Sequence, residues 1–223
     1  MTKDRIQDFF DHIILKYNCS DLERLLGSKF RACGPLLACT SIGIDTLGGM
    51  IYGFDAGSGK RSASFMKNWM GFIDEQSALI YSLVRCGLFH QGITDERIGF
   101  YVDYERMVPN VVLHRKDDRV ILNVTELAYK YLSAVERVAS DRKVLKAVPA
   151  PSTRDDQIFK AALQTIPSID DQYVGYFKFG RGSGSGWNGF LDWLQSYSDD
   201  WVQLFEDNPY EQGGEYGTGS SAM

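Results

Sequence analysis

Apolar residues recur at helical spacing through roughly the first ninety positions, and a strand-like period replaces it only after residue 98. Ile6, Phe9, Phe10, Ile13, Ile14 and Tyr17 fall on one face and predict an amphipathic helix over 3–17. A second helical run starts near Asp21 with Leu22, Leu25 and Leu26. Gly34-Pro35 interrupts it, and Pro35 suits the first turn of an apolar helix over 35–53. Phe65, Met66, Trp69, Met70 and Ile73 predict a helix over 62–73. Asp74 reads as the N-cap of the next, over 75–90, which turns Leu79, Ile80, Leu83, Val84 and Leu88 inward and stops at Gly92.

IGFYVDYE (98–105) and VVLH…RVILNV (111–124) then read as strands, with KDD at 116–118 as a hairpin turn. Asn123 and Glu126 form a capping-box pattern for a helix that runs through Leu127, Tyr131, Ala134, Val135 and Val138 toward Lys146. Pro149–Pro151 reads as a linker, 152–165 as a helix and 173–179 as a strand. GRGSGSG (180–186) is flexible by composition. WNGFLDWLQSYSDDWVQLF predicts one long helix, with Phe190, Trp193, Leu194, Tyr197, Trp201 and Leu204 as docked core. The expected fold is mainly α: a helical bundle over 1–147 with a small β-hairpin insertion at about 98–124, a helical C-terminal extension over 148–207, and a disordered tail over 208–223.

Composition supports a packed core, with 44% hydrophobic and 13% aromatic residues in 223. A net charge of −5 argues against a broad basic surface for nucleic acid, while a local basic cleft stays open. The cysteines, Cys19, Cys33, Cys39 and Cys86, form no C-x-x-C pair and no zinc-like spacing with histidine, so no metal or other cofactor is expected. The charged, amphipathic N-terminus has no signal-peptide apolar region; reduced thiols in a cytoplasm are the expectation.

Two segments imitate functions that they fail on inspection. Residues 32–54 are long enough to span a bilayer and contain a G-x-x-x-G at Gly49 and Gly53. Asp45 near the middle and the scattered glycines instead predict a buried helix with a small-residue packing face, and no membrane association. GFDAGSGKRS (53–62) looks like a phosphate-binding loop, but its glycine spacing is wrong and Arg61 follows Lys60 where serine or threonine should stand.

By elimination the candidate chemistry gathers at VRCGLFHQG (84–92). His12 beside Asp11 and His114 beside Arg115 have no neighbours that suggest a site. Five residues turn a helix through about 140°, so Arg85 and His90 do not share a face, whereas Cys86 and His90 do. Two copies meeting antiparallel across a two-fold axis would bring both pairs around one cleft. A titrating imidazole and a phosphate-binding guanidinium suffice for cutting RNA without a metal.

Arg85-x4-His90 at the end of a helix in an all-helical unit resembles the signature of the HEPN superfamily, over roughly residues 1–95 and as far as 147. Those proteins are helical bundles, often dimeric, many of them ribonucleases in toxin, phage-defence and RNA-processing systems. The resemblance implies a HEPN-like fold, catalysis by Arg85 and His90, a cyclic 2′,3′-phosphate product, a homodimer, and an antitoxin or defence-system protein as partner. Cys86 departs from the polar residue that often follows the arginine there. Asp45 and Cys86 are the supporting residues. Two other readings stay open: Arg85 as the structural counter-ion of Asp45 with His90 at a helix end, and a non-catalytic RNA-binding or interaction module.

Overall fold

The N-terminal apolar pattern forms one uninterrupted helical rod rather than two. Helix α1 (Lys3–Phe9) passes into a segment of wider i→i+5 winding, Phe10–Cys19, and then into α2 (Ser20–Gly27). The computed structural model describes residues 3–28, 32–84, 98–115, 119–146, 160–162, 164–165, 186–197 and 201–205. The wider winding rotates the apolar stripe. Phe10, Ile14, Cys19, Leu22 and Leu26 are buried, while Phe9, Ile13 and Tyr17, expected inward, are exposed.

The rest of the bundle is α3 (Cys33–Tyr52), α4 (Ser58–Met70), α5 (Asp74–Tyr81) and α6 (Val124–Ser140), with a 3₁₀ turn at Arg142–Lys146. Helix α3 packs on both α4 and α6. Among the described residues it is the one helix long and apolar enough to cross a membrane, yet Leu36, Leu37 and Leu47 are wholly buried inside the protein. Its glycines serve packing as expected. Gly43 gives room to the Tyr131 hydroxyl, which donates to Asn18 Oδ1 at 2.7 Å; Asn18 in turn donates to the Cys39 carbonyl at 2.9 Å. Gly48 lets the α4 backbone approach, since a Cβ there would lie 2.5 Å from the Arg61 carbonyl oxygen.

Local capping follows the side chains. Asn123 Oδ1 accepts from Glu126 N at 3.2 Å, as the capping pattern requires, but the Glu126 side chain turns to Arg106 instead of closing the box. Asp74 is the first helical residue of α5, and the Gln76 side chain accepts from the Ile73 amide at 3.1 Å.

The β region is larger than a hairpin. Strands β1 (Ile98–Tyr101), β2 (Val112–Arg115), β3 (Val120–Asn123) and β4 (Val202–Phe205) form one sheet of order β1-β3-β2-β4. The expected antiparallel hairpin is β2–β3, with Val112 opposite Leu122; β1 runs parallel to β3, and β4 parallel to β2. The single helix expected over 187–205 is therefore corrected. Helix α7 (Gly186–Gln195) stops early, and the chain re-enters the sheet as β4. Pairing with β2 overrides the helical spacing of Trp201 with the residues before it. Trp187, Phe190, Leu194, Trp201 and Val202 belong to the same apolar core as the bundle, so the C-terminal segment is part of that core rather than an appendage. The expected linker at 149–151, strand at 173–179 and tail at 208–223 lie outside the described residues.

Candidate functional site

Asp45 is the one charged residue of α3, and α4 supplies its partner. Arg61 donates through Nε to Oδ1 at 2.9 Å and through Nη2 to Oδ2 at 2.7 Å; Ser62 Oγ adds a third bond to Oδ1 at 3.1 Å. Nη1 of Arg61 donates to the carbonyls of Phe54 and Ala56 at 3.1 and 3.0 Å, so the guanidinium ties α3, the following turn and α4 together. The fork geometry is the strong form of a carboxylate–guanidinium pair, and both side chains are largely shielded.

Asp45 and Ser62 line a cleft of about 270 Å³. Ser41 and Thr46 of α3, Met66 of α4, Tyr81 of α5, Val84 and Leu127 of α6 also line it. The walls are mainly apolar, with hydroxyls and one already neutralised carboxylate. Tyr81 is held in place through its hydroxyl, 3.2 Å from Ser58 Oγ.

Of the residues singled out from sequence, Asp45 lines the cleft; Arg85, Cys86 and His90 lie outside the described residues, and Val84, which lines the cleft, is the residue immediately before them. The thiols of the other cysteines are all raised above the ordinary range. Burial pushes the Cys19 thiol up to about 12, with Glu23 and Glu136 adding to it. Burial alone takes Cys33 to about 12, and Cys39 is raised by burial and then by Asp21. All three are free thiols. His12 is exposed and sits 2.9 Å from the Asp8 carbonyl; His114 is buried in the sheet. No group of three or more metal-ligating side chains occurs among the described residues.

Sequence reasoning missed Arg61, whose signal was the lone acid on an apolar helix next to a basic helix start. It also missed a second polar cluster. Asp103 and Glu126 are nearly inaccessible. Asp103 Oδ2 accepts from Val108 N at 2.7 Å, its amide donates to Thr125 Oγ1 at 3.0 Å, and Asn123 Nδ2 donates to the Val108 carbonyl at 2.9 Å. Arg106, at φ +55°, donates through Nε to Glu126 Oε2 at 3.0 Å. These bonds fix the loop between β1 and β2 onto the start of α6. Tyr101 beside it has a raised pKa, by burial first and then by Asp103.

No protein-family model, no curated protein and no solved structure matches the chain.

Proposed function

We propose that the chain is a metal-independent, HEPN-type endoribonuclease whose chemistry is carried by Arg85 and His90. The observation that supports it most is the charge balance at Asp45. The main structural alternative makes Arg85 the counter-ion of that acid, but Arg61 already meets it with a bidentate fork. Asp45 therefore does not depend on Arg85 as its sole counter-ion, and a guanidinium at position 85 suits phosphate binding.

The chemistry is that of RNA transesterification. One imidazole takes the proton of a ribose 2′-hydroxyl, the 2′-oxygen attacks phosphorus, and the bond to the 5′-oxygen breaks. The leaving oxygen receives a proton from the second imidazole, and a cyclic 2′,3′-phosphate remains. Arg85 holds the phosphate and stabilises the charge that builds on its oxygens. Five residues of helix would turn Arg85 and His90 onto different faces, so the reading requires a homodimer that places both pairs around one cleft. The associated setting is a cytoplasmic toxin or phage-defence system with an antitoxin or defence protein as partner. Incubation of the purified chain with RNA in excess chelator tests this: cleavage and cyclic-phosphate ends are expected from the wild type, and neither from His90→Ala.

One observation favours a second reading, a non-catalytic helical dimer that binds RNA or a protein. Phe9, Ile13 and Tyr17 present an exposed apolar stripe on the N-terminal rod. A dimer without RNA cleavage would select this reading.

A further inference from the structure

We propose that the exposed face of the N-terminal rod docks a second copy of the chain, antiparallel, across a two-fold axis at the level of His12 and Ile13. Two ladders of residues spaced four apart run side by side along that face. Phe9, Ile13 and Tyr17 form the apolar ladder and are 39%, 41% and 55% exposed. Asp8, His12 and Lys16, each one position earlier, form the polar ladder and are exposed as well. Seven large hydrophobic residues stand exposed among the described residues, and three of them fall in this one stripe. Scattered singly they would need no explanation; aligned on one face they mark a contact surface.

The flanking charges identify the occupant. Asp8 stands at one end of the polar ladder and Lys16, of opposite sign, at the other. Asp11, between them, is already held by Arg142 at 2.8 Å. Neither Asp8 nor Lys16 meets an opposite charge among the described residues. Each therefore keeps its charge available to a partner, and the pattern read backwards carries the opposite signs.

A two-fold axis perpendicular to the rod makes such a face its own complement. It reverses the direction of the second rod while keeping both polar ladders on the same side of the contact. Phe9 then packs on Tyr17 of the second copy and Ile13 on its own counterpart. Asp8 meets Lys16 of the second copy, and the pairing is repeated from the other chain. With the axis between His12 and Ile13, each pair is offset by one residue's rise, about 1.5 Å, well within side-chain reach. A parallel arrangement would set Asp8 against Asp8 and Lys16 against Lys16, so charge selects the antiparallel one. Six side chains from each copy make a small contact, which is expected to form reversibly.

Equilibrium sedimentation of the full chain over a concentration series at low ionic strength tests the interface. No RNA is present, so the outcome is independent of the ribonuclease reading. A monomer–dimer equilibrium with a dissociation constant on the order of micromolar is expected from the wild type. Ile13→Asp, at an exposed position beside the axis, should weaken association at least roughly tenfold. Asp8→Lys and Lys16→Asp should each weaken it at least roughly fivefold. The double exchange should recover the wild-type constant, because every pair then meets again with its signs reversed. A wild type that stays monomeric up to about 100 μM, a dimer indifferent to Ile13→Asp, or a double exchange that recovers nothing overturns the proposal. RNA cleavage by a dimer that ignores all these variants would overturn it while leaving the ribonuclease reading intact.

Discussion

Asp45 and Glu126 are both carboxylates gripped by an arginine from another element, yet the two contacts are built differently. At Asp45 the arginine offers two parallel N–H groups, a serine adds a third, and the remaining guanidinium donors end on carbonyls at the close of α3. Both carboxylate oxygens are met. At Glu126 one N–H of Arg106 makes the bond, the guanidinium stacks 4.1 Å from the Tyr129 ring centre, and its backbone sits at φ +55°. A second cation, Lys130, stands just beyond hydrogen-bond reach. The same pairing thus staples helices in one region and ties a loop to the start of α6 in the other.

Breaking the closed pair should cost most. Arg61→Ala strands Asp45 and frees two carbonyls; we expect a loss of about 3 kcal/mol, at the low end of buried-pair values because both side chains keep some solvent contact. Denaturant midpoints at unchanged slope would measure it. In the double variant with Asp45→Ala much of the loss should return, and full additivity of the two changes would show that the pair is not coupled.

Asn123→Ala comes next. It removes the α6 cap and leaves the Val108 carbonyl without its buried donor, for about 2 kcal/mol together. A melt unchanged within error would mean that the loop is not held from α6. At the open pair the effect should be smaller. Arg106→Gly removes the close partner of the nearly inaccessible Glu126, but it relieves the positive φ and leaves Lys130 at 4.0 Å, so the net loss should be about 1 kcal/mol. A loss as large as that of Arg61→Ala would erase the contrast between the regions.

The elements that hydrophobic period alone determines were legible: the bundle helices, the β2–β3 hairpin and the Asn123 cap all follow from residues close in sequence. What failed to show depends on distant partners. Val202–Phe205 follows Trp201 at helical spacing from α7 and becomes a strand only because β2 offers an edge. Ile13 and Tyr17 face outward within the segment of wider winding that begins at Phe10, which no residue type announces. At the candidate site the lone acid on α3 was visible, but Arg61 as a partner for it required the α3–α4 packing that Gly48 permits.

The central claim is that Arg85 and His90 are retained for RNA chemistry rather than for stability, and one paired experiment addresses it. Wild type, Arg85→Lys and His90→Ala are melted, then incubated with RNA in chelator and resolved on one gel. The account expects wild-type cleavage, loss of roughly 10²–10⁴-fold in His90→Ala, comparable failure of Arg85→Lys for want of a bidentate contact, and melts within about 0.5 kcal/mol of each other. A folded His90→Ala variant that cuts RNA at the wild-type rate, or a wild type that cuts none as a dimer, would contradict it.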